Sequence, residues 1–253
     1  MPSSQFLEPY YRYQTLLLIK PKWRWYQKVW NTILAYTSFF HQRLDILGFL
    51  VTGIFLYQTK LVGKNYLDQY LAKGVIFVSI HSSSYPLAGK ILADYYPQLK
   101  ITAPFYFHRQ FSIFPVFKKF FAKLGIQIVP LGGAMKRIGP ALEMNQSVCL
   151  FLDAELPIKH TQMVAMYGKL VPISSGPAFL AQKYRKPIIP VYLAREAGKV
   201  VVHLLKPILV SETDSVQLIT QKVATSLETM IDATISEWQV TDRFLLPELK
   251  TQA

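Results

Sequence analysis

From residue 61 onward, short apolar runs alternate with amphipathic stretches. Apolar runs of strand length bounded by turn residues predict strands buried on both faces of a sheet. Apolar positions at three- and four-residue spacing predict helices. Strands are therefore expected at residues 75–80, 100–103, 126–129, 148–152, 187–193 and 200–205. Helices are expected at 66–72, 87–96, 111–124, 138–144, 176–184 and 216–235, with Gly125 in the glycine stop position after the third. Such alternation predicts an α/β fold with a mostly parallel central sheet flanked by helices.

The first 60 residues read differently. Residues 10–43 interleave aromatic and basic side chains, among them Tyr11, Arg12, Trp23, Arg24, Trp25 and Lys28. Residues 46–57 (ILGFLVTGIFLY) form the most apolar window, but a bilayer-spanning helix needs roughly 20 such residues. Trp and Tyr favour the headgroup level of a bilayer, where Lys and Arg meet anionic lipid. The expectation is a membrane-associating helical region over residues 1–60, lying on the membrane as a peripheral or monotopic anchor, ahead of one α/β domain over 61–253. A surface helix whose aromatics cover the core is the alternative.

Charge and cysteine content narrow the partners. The chain carries a formal net charge of +13, concentrated in its front and middle, where residues 90–137 hold eight Lys/Arg against one acid. Such asymmetry points to an anionic partner, and no RNP-like or zinc-finger spacing favours nucleic acid. The single Cys149 excludes an intramolecular disulfide and reads as a small hydrophobe. The N-terminus lacks the pattern of a signal peptide, which with the basic anchor predicts the cytoplasmic face of a membrane.

The candidate chemistry centres on VIFVSI-HSSSYP, residues 75–86. His81 stands at the end of a predicted buried strand, and substrates of parallel sheets sit beyond the carboxyl ends of their strands. A histidine there can be a general base aimed at a hydroxyl, or an ordinary loop residue. Gly-rich phosphate loops, H-E-x-x-H and G-x-S-x-G are all missing, which argues against kinase, metalloprotease and α/β-hydrolase chemistry.

The run from residue 142 to 193, with Asp153, Tyr167-Gly168, Gly176-Pro177-Ala178, Leu180-Ala181 and Pro190, followed by Arg195, resembles the lipid A biosynthesis lauroyl/myristoyl acyltransferases. These lie within the glycerolipid/lysophospholipid acyltransferase superfamily, and the tail with Trp238 and Arg243 is similar to the family's closing helix. The resemblance implies transfer of a fatty acyl chain from an acyl thioester, on acyl carrier protein or coenzyme A, to a hydroxyl or amine of a membrane lipid. It implies no cofactor, because the thioester is a substrate. The family motif is His, four residues, then Asp or Glu; here His81 is followed by Pro86 at the acid position. His81 is then the expected base, and Asp153 and Glu155, after another strand at the same sheet edge, are the expected substitute acids. Ser82, Ser84 and Tyr85 are expected beside the substrate, as are Tyr167 and Gly168. Lys118, Lys119, Lys123, Lys136 and Arg137 are expected near anionic substrate groups. The missing motif acid keeps a second possibility open: a catalytically impaired relative that binds lipid or acyl carrier without turnover.

Overall fold

The computed structural model describes residues 8–53, 57–105, 114–154 and 160–239. Two helices come first: α1 (Glu8–Ile19) and α2 (Trp25–Thr52). The α/β body then runs β1 (Thr59–Val62), α3 (Lys64–Asp68), β2 (Ile76–Ser79), α4 (Ala88–Tyr95), β3 (Ile101–Phe105), α5 (Phe114–Lys123), β4 (Ile126–Pro130), α6 (Met135–Glu143) and β5 (Ser147–Phe151). It continues with β6 (Thr161–Met166), β7 (Lys169–Ser174), α7 (Gly176–Tyr184), β8 (Ile188–Glu196), β9 (Lys199–Leu204) and α8 (Val216–Ala233).

Seven strands form one sheet in the order β1-β9-β8-β2-β5-β3-β4. All neighbours are parallel except β8 and β9, so the sheet is mostly parallel and flanked by helices, as the sequence predicts. One face packs against α1, α6, α7 and α8 through residues such as Leu16, Ile138, Leu180 and Leu227. The other packs against α3 and α4 through Leu67, Ile91 and Leu92. The central strand β2 is buried along its whole length, which explains its unbroken apolar run.

Two differences from the sequence expectation have simple causes. Strand β1 escaped notice because its four residues sit at a sheet edge and alternate weakly. The β6–β7 hairpin also escaped, although its signal was present. Tyr167 and Gly168 both take positive φ (48° and 76°), the mark of a two-residue hairpin turn, and alternating apolar positions flank them.

Gly74, immediately before β2, has φ 69° and ψ 154°, a region open in practice to glycine alone. A Cβ there would lie 2.6 Å from the carbonyl oxygens of Asn145 and Gln146, which are backbone and cannot swing aside. Gly74→Ala is expected to cost about 1–3 kcal/mol from strain alone. Thermal unfolding should register this as a Tm lower by about 3–10 °C.

Helix α2 is inverted relative to an ordinary surface helix. Asn31, Ala35, Ser38, Gln42, Asp45 and Phe49, spaced by threes and fours, are buried. Trp30, Ile33, Phe40, Leu44, Leu47 and Val51, on the opposite side, are exposed. Helices of globular proteins place the apolar stripe inward. No described helix is long and apolar enough to cross a membrane.

Candidate active site

The parallel register of β2 and β5 builds the site. Ser79 pairs with Phe151, so residues 81 and 153, each two positions farther on, emerge side by side at the carboxyl edge of the sheet. The ladder ends on a side chain: Leu152 N–H donates to Ser79 O (3.1 Å), and His81 N–H then donates to Asp153 Oδ2 (2.7 Å). The His81 ring is held by the same carboxylate, with Nδ1 2.7 Å from Asp153 Oδ1. Trp238 Nε1–H supplies a third bond, 2.8 Å to Oδ2. Asp153 is fully buried, and three converging donors are what a buried carboxylate needs.

The other faces of the imidazole are walled by aromatics. The Tyr85 ring meets it edge-on at 4.8 Å and the Phe151 ring lies 4.6 Å away. Burial first, and the Asp153 charge second, push the Tyr85 phenol up to about 12 against the opposing effect of Arg43, so it stays protonated beside His81. Burial likewise pushes the Cys149 thiol up to about 12, leaving it an inert wall residue. Pro86 opens a short 3₁₀ turn (Tyr85–Leu87) ahead of α4 and lies buried. Five residues after His81 the chain thus places a helix-starting proline, and the carboxylate that meets His81 follows β5.

His81 borders a cavity of ≈ 680 Å³. Its origin is a split in the sheet. Strands β3 and β5 pair only at Ile101↔Ser147 and Thr102↔Val148, while β3 stays with β4 for five residues and β5 with β2 for four. Beyond that point the gap is open, so the walls come from both sides of the sheet. Phe77 and Leu92 contribute from one side, Ile138 and Leu180 from the other, and Ala103 and Phe151 line the opening itself. The lining is overwhelmingly apolar.

The other expected site residues distribute as follows. Tyr85 borders the cavity beside His81. Ser82 is buried and donates from Oγ to Leu193 O (2.8 Å), and the buried Ser84 donates to the Asp45 carboxylate. Lys118, Lys119 and Lys123 on α5, and Lys136 and Arg137 on α6, are exposed; those helices turn Phe121, Met135 and Ile138 toward the cavity. Tyr167 and Gly168 form the β6–β7 turn, where the Tyr167 hydroxyl meets Asp232 Oδ1 at 3.0 Å. Glu155 lies outside the described residues.

A family model of the bacterial lipid A biosynthesis acyltransferases matches residues 55–246, more than half of the chain. The chain belongs to that family. No curated protein matches it. Family membership carries acyltransferase chemistry of the lipid A type in general. The matched segment contains His81, Asp153, Trp238 and every wall of the cavity named above.

Three further residues at this site were not among its expected members, although Trp238 carried the tail's resemblance and Arg12 stood in the basic, aromatic segment. Trp238 reaches Asp153 from beyond α8. Asp45, from α2, holds Ser84 and Arg195. The Arg12 guanidinium of α1, almost fully buried, donates to Trp238 O (2.9 Å), Asn31 Oδ1 (2.9 Å) and Ile235 O. Burial depresses its pKa to about 10. Each partner lies far away in sequence, so no local spacing could have announced it.

Proposed function

We propose that this acyltransferase moves a fatty acyl chain from an acyl thioester, carried on acyl carrier protein or coenzyme A, to a hydroxyl or amine of a lipid acceptor at the membrane surface. The observation that carries the reading is the His81–Asp153 pair at the mouth of an apolar cavity. Asp153 accepts from Nδ1–H, which fixes the tautomer in which Nε2 has a free lone pair. Nε2 takes the proton of the acceptor hydroxyl or amine as that group attacks the thioester carbonyl. A C–O or C–N bond forms, the C–S bond breaks, and the thiolate leaves with the proton held by the imidazolium. Asp153 stabilises the imidazolium in between. The acyl chain occupies the apolar cavity, where each buried methylene contributes about 0.8 kcal/mol.

Supporting the membrane setting is inverted helix α2, roughly 42 Å long at 1.5 Å per residue. Its outer stripe would leave a large apolar patch in water, more than a soluble monomer tolerates. Lys22, Arg24 and Arg43 are exposed beside that stripe, and the only acid within α2, Asp45, is turned inward. Apolar side chains flanked by cations fit the interface of an anionic bilayer. Asp45 of the same helix bonds the Ser84 hydroxyl next to Tyr85, so α2 approaches the cavity mouth. Arg43 on α2 and the exposed cations of α5 and α6 suit the phosphates of an anionic donor or acceptor.

The direct test incubates the purified protein with lauroyl-CoA or lauroyl-acyl carrier protein and membrane lipid extract, with products read by mass spectrometry. Acylated lipid is expected. Binding of donor or lipid without any acylated product would instead favour the impaired-relative reading. Chain length provides a second prediction. Ala103→Phe fills part of the cavity opening and is expected to shift preference toward shorter donors by about tenfold in kcat/KM, at an overpacking cost of about 1–3 kcal/mol. Competition between lauroyl and palmitoyl donors measures it.

A further inference from the structure

Asp45 is a carboxylate nearly sealed from water, on the inner face of the helix whose outer face carries the apolar stripe. It accepts from Arg195 at the end of β8 and from the Ser84 hydroxyl, and Arg195 Nη2 also lies 3.4 Å from Ser84 Oγ. The guanidinium is further held over the Tyr57 ring at 4.6 Å. Ser84 immediately precedes Tyr85, whose ring abuts His81. One turn beyond Asp45, Phe49 packs with Leu87, Phe121 and Ile128. The last two of these line the cavity. Helix α2 therefore grips both the His81 loop and the wall of the acyl cavity. The polar grip is a charge-assisted one, strong and directional.

Arg12 ties α2 to the body independently, through Asn31 and the Trp238 carbonyl, and a buried ion pair is by itself weak evidence of a purely stabilising role. We propose that Asp45 is a positioning residue that transmits the seating of α2 on a bilayer to the His81 loop, so that the site is fully ordered only on a membrane surface. This rests on the acyltransferase and bilayer readings above. Seating the outer stripe fixes the depth and rotation of α2. Through Asp45 the same motion sets Ser84, then Tyr85, then the imidazole. A bilayer shifts the loop between two arrangements only if it binds one better than the other, and the apolar stripe supplies that difference.

The experiment compares the full-length protein with Asp45→Asn, using vesicles of phosphatidylethanolamine and phosphatidylglycerol at three to one. Two readouts are taken: thiol release from lauroyl-CoA, with glycerol at one concentration in every arm as a soluble acyl-accepting hydroxyl, and the NMR resonance of the His81 ring carbon Cε1 in protein labelled at histidine, assigned through His81→Gln. In the wild type, vesicles are expected to raise kcat for thiol release at least tenfold with little change in KM, and to shift the His81 resonance. In Asp45→Asn, co-sedimentation with vesicles should persist, while the stimulation falls at least fivefold and the resonance no longer responds. Ser84→Ala, which removes one hydroxyl and leaves the Asp45–Arg195 pair, should move both readouts the same way and serves if Asp45→Asn fails to fold. The proposal is overturned if a folded variant keeps the wild-type stimulation and resonance shift. It is equally overturned if the variant loses the same factor with and without vesicles, or if the wild-type resonance ignores vesicles. A wild-type resonance that responds without any thiol release would refute the enzymatic reading and leave the coupling intact.

Discussion

Substituting His81 by alanine is expected to lower acyl transfer by about 10³-fold or more, because its carboxylate-oriented imidazole is the group placed to take the acceptor proton. Asp153→Asn should be at least as severe, about 10⁴-fold on the scale set by the same change in Ser-His-Asp triads. The structure gives the reason. Asp153 accepts from the His81 ring, the His81 backbone and the Trp238 indole. An asparagine amide has one oxygen to offer, so its NH₂ group must confront a donor. The imidazole would relieve that conflict by moving its proton to Nε2, where a base needs a lone pair. Both variants should keep their fold in circular dichroism, and product mass spectrometry should show the loss. An Asp153→Asn protein within tenfold of wild type would remove the dyad from the mechanism.

The largest expected effect on stability belongs to Arg12. Its guanidinium joins α1 to α2 through Asn31 and to the end of the chain's last described segment through the carbonyls of Ile235 and Trp238. Arg12→Leu leaves those acceptors buried without a donor and is expected to cost about 3–5 kcal/mol. Arg12→Lys should recover only part of this, since one ammonium cannot reproduce a planar fork spread over three acceptors. Urea unfolding at constant slope would show the shift in midpoint. An unchanged midpoint for Arg12→Leu would mean that α1 lends no stability to the body. Because Trp238 also holds Asp153, the same substitution should lower activity beyond what the stability loss explains.

Much of the α/β body was legible in the chain. Residues 75–80 are an unbroken apolar run because β2 has neighbours on both edges and layers on both faces. Helix α7 was bounded correctly because Gly176-Pro177 can start a helix and the apolar spacing repeats until Tyr184. His81 itself was visible as a polar residue ending such a run. Asp153 was visible for the same reason just after β5. The hairpin β6–β7 was legible in principle but masked by the weak alternation of Thr161–Met166.

Periodicity reports which face of an element is apolar, not what that face meets. Over residues 1–60 the sequence predicted a membrane-associating helical region; packing showed that the polar stripe of α2 points inward and its apolar stripe outward. Ser82 and Ser84 look alike as hydroxyls beside a histidine, yet one is fixed to Leu193 and the other to Asp45. The sequence by itself determined a parallel sheet with a histidine at its carboxyl edge, since strand burial and turn chemistry are written in neighbouring residues. Which carboxylate faces that histidine and where the sheet parts to admit a chain were decided by the register between strands, and which tryptophan steadies that carboxylate by how the segment after α8 packs. Register is a contact between residues far apart in the chain, such as Ser79 with Phe151 and Thr102 with Val148, and local pattern carries no record of it.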